Sequence, residues 1–131
     1  MDDDDVDAKA IARGLRRRGV DFVLQRAVDG EEALHMLRGT GGYDPVEGPV
    51  IVTLDLNMPR MNGFECLEAL RSDPELAHTI VFVVSTSDTD DDKREAYRLH
   101  PAGYVVKGTD PAIYEGIADL LAKYNEVVSL P

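Results

Sequence analysis

The sequence predicts a doubly wound α/β domain, a parallel sheet covered by helices on both faces. Three observations carry this. Two short runs, PVIVTL at 49–54 and IVFVV at 80–84, are apolar at nearly every position, as strands buried between two helical layers are. Segments of helical period separate these runs, with short connections. Polar residues gather where the runs end, and that is the edge at which open parallel sheets bind ligands.

In chain order, Ala8, Ile11, Ala12 and Leu15 share one face of a helix directly behind the opening MDDDDVD. FVLQRAV at 22–28 has strand composition and is followed by Asp29-Gly30. Next comes EEALHMLR, with Ala33, Leu34 and Leu37 on one helical face. Residues 39–48 hold four glycines and a proline and read as a loop. After PVIVTL a helix is expected over 63–72, then IVFVV, a helix over 90–99 and a shorter strand, YVV, at 104–106. A last helix has Asp110 as cap and Pro111 in its first turn, with Ile113, Ile117, Leu120 and Tyr124 along one stripe.

A length of 131 residues fits a single domain, 1–131, with one substantial core. Acids outnumber bases 25 to 14 for a formal charge of −11, which disfavours nucleic acid and favours cations or basic patches on a partner protein. The one cysteine, Cys66, excludes an internal disulfide and a multi-cysteine zinc site. No apolar run approaches the roughly 18 residues of a membrane span. The N-terminus is acidic where a signal peptide is basic. A cytoplasmic protein is expected.

In VIVTLDLNMPRMNGFE, Asp55 ends the most buried strand. Taken alone, such an aspartate ordinarily caps the following turn. The second strand, however, ends in VVSTSD, presenting Ser85, Thr86 and Ser87, and the third in YVVKG, presenting Lys107. An acid, a hydroxyl and an ammonium at successive strand ends, with the N-terminal aspartates, describe a magnesium-assisted phosphoryl-transfer pocket. Carboxylates hold the hard cation. The cation and Lys107 neutralise charge on the transferring group. Asp55 is the natural nucleophile, forming an acyl phosphate, and the hydroxyl hydrogen-bonds the attached phosphoryl group.

On the acidic cluster, LDLNMPRMNG around Asp55, the hydroxyl of Ser85 and GYVVK ending at Lys107, the sequence resembles the response-regulator receiver domains of two-component signalling along essentially its whole length. The resemblance implies that Asp55 is the phosphoacceptor and that Lys107 contacts the phosphoryl group. It implies that Ser85 and Tyr104 form a switch pair. It also implies Mg²⁺ on an acidic pair, Asp55 and the backbone carbonyl of Asn57. Spacing from Asp7 places that pair on Asp2 and Asp3, with a slip of one left open by the run of four aspartates. Within the family, RGVDF, DGEEALHMLRG, LNMPRMNGFE and the VVSLP ending look most like single-domain regulators associated with phytochrome-type histidine kinases.

The implied sheet is five-stranded in the flavodoxin-like order 2-1-3-4-5. Its first strand is missing or truncated in this sequence, and an apolar strand of about five residues is expected ahead of Met1. Departures from the family pattern are Gly108 after Lys107, where Lys-Pro is common, Ser85 in place of the commoner threonine, and His100-Pro101 before Tyr104. The expected function is a phosphorylatable switch with no output domain, acting through protein contacts on the face formed by helix 90–99, strand 104–106 and the last helix. Homodimerisation is compatible with it. The alternatives are a phosphorylation-independent binding or dimerisation module and a phosphohydrolase. Asn57 argues against the second, because it stands where such an enzyme carries another acid.

Overall fold

The computed structural model describes residues 5–44, 46, 48–56 and 61–131. Five helices, α1 (Asp5–Arg17), α2 (Gly30–Arg38), α3 (Gly63–Ser72), α4 (Asp90–Arg98) and α5 (Ala112–Val127), surround three strands, β1 (Ile51–Leu54), β2 (Ile80–Ser85) and β3 (Gly103–Val106). The strands are parallel in the order β1-β2-β3. Leu54 lies level with Val83, and Ser85 with Val106. That register brings the residues after β1 and β3 and the last residue of β2 to one edge.

The expected α/β sheet is formed, and alternation along its strands divides the core into two layers. Val52 and Leu54 of β1, with Val81 and Val83 of β2, pack against Ala33 and Leu34 of α2, Cys66, Leu67 and Leu70 of α3, and Ala96 of α4. On the other face, Phe82 and Val84 pack against Ile11 and Leu15 of α1 and Ile117, Ala118 and Leu121 of α5. The α1–α5 contact is close. A Cβ at Gly14 would stand 2.6 Å from the Cβ of Ala118, so a side chain there would push the two helices apart.

Local chemistry sets the helix starts. Asp29 caps α2 by accepting the Glu32 N–H at 2.8 Å. Asn62 and Glu65 form a reciprocal capping box on α3. Arg71 acts as a tertiary clamp, donating to the carbonyls of Leu99 (2.8 Å), Ala77 (3.0 Å), Thr79 (2.9 Å) and His100 (2.9 Å). It ties α3 to the chain entering β2 and to the turn leaving α4. His100 in that turn has φ 56, the left-handed region.

Three expectations need correction. FVLQRAV at 22–28 is not a strand. Residues 20–27 take no regular secondary structure, and β1 is the edge of the sheet among the described residues. Strand composition is not enough without a neighbour to bond. On α5 the buried stripe runs through Ile117, Ala118 and Leu121, while Leu120 is 40% exposed. The small pair Gly14 and Ala118 draws that face of the helix inward. Finally, the N-cap of α5 is Pro111 rather than Asp110, whose carboxylate accepts the Ala112 N–H at 2.9 Å. No helix among the described residues is long and apolar enough to cross a membrane.

Candidate active site at the carboxyl ends of the strands

Asp55 follows β1 directly and is 8% exposed. Its backbone is pinned by the start of α3. The Gly63 N–H donates to the Leu56 carbonyl at 3.1 Å. A Cβ on Gly63 would fall 2.4 Å from the Asp55 carbonyl oxygen. Glycine after Asn62 therefore lets α3 begin hard against the strand end and fixes where Asp55 points.

Lys107 extends β3 by one residue, its N–H donating to the Ser85 carbonyl at 2.7 Å. Its ammonium, on a side chain only 9% exposed, lies 3.2 Å from Asp55 Oδ2 and 2.7 Å from Asp7 Oδ2. Asp7 also accepts a hydrogen bond from the Tyr114 hydroxyl on α5. Two carboxylates and one ammonium thus share a nearly dry volume, where charge interactions far exceed those in water. These three groups sum to a net negative charge, so the site favours a further cation.

Ser85, ending β2, is fully buried, and its Oγ accepts the Ser87 N–H at 3.1 Å. The Ser87 carbonyl accepts the Tyr104 hydroxyl at 2.9 Å. The two expected switch residues are thereby joined through one residue of the β2–α4 loop, with Tyr104 turned toward that loop.

The structure therefore brings Asp55 and Lys107 into contact and links Ser85 to Tyr104. Asp2, Asp3 and Asn57 lie outside the described residues. Among the described residues no group of three or more His, Cys, Asp or Glu side chains could hold a metal by itself. The donors named for a cation are all oxygens, the set a hard divalent ion takes. Asp7 is the site residue that sequence reasoning passed over. Its signal was a carboxylate on the apolar face of α1, in line with Ile11 and Leu15 at i+4 and i+8.

Comparison with known proteins agrees with this geometry. The response regulator receiver domain family matches residues 1–123. Response regulator Rcp1 of Synechocystis sp. is 28% identical over 132 residues, covering 100% of this chain and 90% of that protein. The probable methanogenesis regulatory protein FilR2 of Methanothrix harundinacea is 34% identical over 96% of this chain and 79% of its own. Among solved structures, the Mn²⁺-bound form of Rcp1 superposes with a TM-score of 0.90, covering 100% of this chain and 95% of that one. The phosphorylated cyanobacterial phytochrome response regulator RcpA gives 0.91 at 31% identity, covering 100% and 94%. A fold with ligand chemistry at its strand ends, a lysine seated on a buried aspartate, and these likenesses lead to one conclusion: the chain belongs to the response regulator receiver domain family and is a two-component response regulator.

Proposed function

We propose that Asp55 is the residue that receives the phosphoryl group. The observation that carries this reading is the nearly buried Lys107 ammonium 3.2 Å from Asp55 Oδ2, a positive charge placed where a phosphoryl group on that oxygen needs one. A histidine kinase is the donor, of the phytochrome type in this reading, which the likeness to the phytochrome response regulator RcpA supports. Asp55 Oδ attacks phosphorus, the P–N bond to the donor imidazole breaks, and the ring nitrogen leaves with a proton. An acyl phosphate remains on Asp55.

A divalent cation, Mg²⁺ in this reading, is held by Asp2, Asp3, Asp55 and the Asn57 carbonyl and supplies charge neutralisation when bound. The net negative charge around Asp7, Asp55 and Lys107 supports it, as does the existence of an Mn²⁺-bound form of Rcp1. The new phosphoryl oxygens compete with Asp7 for Lys107 and offer the Ser85 hydroxyl a stronger acceptor. Drawing Ser85 inward disturbs the Ser87 bridge that holds Tyr104. Tyr104 then carries the change to the face of α4, β3 and α5, where a protein partner reads it in the cytoplasm.

The test uses acetyl phosphate with Mg²⁺ and intact-mass detection. The native chain should gain one phosphoryl group, and Asp55→Asn should fall to background because an amide is no nucleophile. Persistent labelling of that variant would overturn the assignment. Lys107→Ala should still label, more slowly, but lose the phosphorylation-dependent change in tyrosine fluorescence. A normal change would remove Lys107 from the switch.

A further inference from the structure

Asp7 is a carboxylate on α1, 5% exposed, that the route from Ser85 to Tyr104 does not use. Its two oxygens face different elements. Oδ2 accepts from the Lys107 ammonium, beyond β3, at 2.7 Å, and Oδ1 accepts from the Tyr114 hydroxyl on the first turn of α5. Lys107 stands nearer to Asp7 than to Asp55, 2.7 Å against 3.2 Å. One ammonium is thus divided between a carboxylate on α1 and the carboxylate of the candidate site. A carboxylate this dry keeps its charge only while donors reach it, and losing a donor costs more than the bond itself contributes.

A phosphoryl group on Asp55 changes this division. A side chain with one negative charge then carries about two, and the pull on Lys107 from that side rises. As Lys107 leans toward the phosphoryl group, the Asp7 carboxylate either follows it or relies more heavily on Tyr114. Both responses act on the same hydrogen bond. α5 is built to yield at that point. Ile113 and Tyr114 donate to the carbonyls of Asp110 and Pro111 at 3.2 Å, bonds of i to i+3 spacing, and the N-cap Pro111 supplies no side-chain bond. One turn further along, Ala118 is seated closely on Gly14 of α1. A displaced Tyr114 therefore turns the start of the helix against a fixed middle.

We infer that Asp7 is a positioning residue for Lys107, and that Asp7 and Tyr114 form a second arm of the switch, carrying the displacement of Lys107 to the first turn of α5. The inference rests on Asp55 as the phosphoacceptor. The arm through Ser85, Ser87 and Tyr104 has no residue in common with this one. The two also leave the site through different layers of the core. Tyr104 packs with the layer of α2, α3 and α4, and Tyr114 with the layer of α1 and α5. A partner seated on α5 thus reads a different arm from one seated on the loop before α4. A merely structural Asp7 would tie α1 to α5 equally in both states and would respond to nothing at Asp55.

The test follows tyrosine ring resonances of the isotope-labelled full chain by NMR, before and during incubation with excess acetyl phosphate and Mg²⁺, with intact mass giving the occupancy. Tyr104→Phe and Tyr114→Phe identify the two signals by their absence. In the native chain both signals should move as occupancy rises. In Asp7→Asn at equal occupancy, the Tyr114 displacement should shrink about threefold or more while that of Tyr104 is kept. Tyr114→Phe removes only a hydroxyl, so it tests the arm even if Asp7→Asn does not fold. In it, the backbone amides of 113–116 should lose their response to phosphorylation to a similar extent. A Tyr114 signal that stays still in the phosphorylated native chain would overturn the inference and leave Asp55 standing. So would undiminished movement in Asp7→Asn, or an undiminished amide response in Tyr114→Phe, either of which routes the change through residues 108–111. Loss of both ring displacements in Asp7→Asn would overturn the separation of the two arms. Absence of any phosphoryl gain, or a gain retained in Asp55→Asn, would overturn the reading of Asp55 and this inference with it.

Discussion

The two sides of β1 make opposite use of the same kind of sequence. Toward β2, Ile51–Leu54 pair residue for residue with Ile80–Val83, and Val81 and Val83 are wholly buried. Toward α2, FVLQRAV also has strand composition, yet Val23 is exposed and among the described residues no strand pairs with β1 on that side. Strand composition occurs on both sides, and the difference lies in whether a bonded neighbour is present. The candidate site residues follow this division. Asp55, Ser85 and Lys107 follow or end strands of the paired half and are tightly placed. Asp7 reaches them from α1, bonded to Lys107 and Tyr114.

The comparison can be broken or sharpened by mutation. The largest effect is expected at Arg71, which closes the paired half by bonding four carbonyls. Arg71→Met should cost about 3 kcal/mol in urea denaturation. A loss below about 0.5 kcal/mol would show that water replaces the clamp freely. A matched pair comes next. Val83→Ala should cost about 2 kcal/mol and Val23→Ala less than about 0.5. Equal losses would mean that residues 20–27 are as firmly held as β2.

A smaller effect concerns pH. Burial pushes the Cys66 thiol from its ordinary 9.0 up to about 11. The fold therefore favours the neutral thiol. That contribution is complete below pH 9 and is lost as pH rises through about 11. At pH 10 the native chain should have lost about 1 kcal/mol more than Cys66→Ala, each relative to its own stability at pH 8. Parallel pH profiles would mean that the thiol reaches solvent.

Much of this was legible in the sequence, because the informative signals were local. β1, β2 and β3 declared themselves as short apolar runs, and α2 by the helical spacing of Ala33, Leu34 and Leu37. Asp55, Ser85 and Lys107 were found because each ends or follows such a run. What failed depended on partners distant in the chain. Leu120 and Leu121 are equally apolar, and only the close approach of Gly14 to Ala118 decides which is buried. Asp7 became a site residue through Lys107, 100 positions away. Arg71 resembles any helix-end arginine until the carbonyls around it are in place.

α4 is held differently from its neighbours. Ala96 is its single buried residue, and its first turn carries Asp90, Asp91 and Asp92 behind the Thr89 cap. Ser87 donates to the Asp92 carboxylate at its start and Arg71 holds the turn after it. Its ion pairs are exposed: Lys93 with Asp88 ahead of the helix, and Arg94 with Asp91 and Arg98 with Glu95 within it. Exposed pairs of this kind contribute roughly 0–1 kcal/mol each and weaken as salt screens them. With so little apolar surface to release, this helix can fray or shift at small cost while the sheet beneath it stays intact. The segment beside Ser87 and Tyr104 is thus a compliant element on a stiff base, and salt in the surrounding solution adds to that compliance.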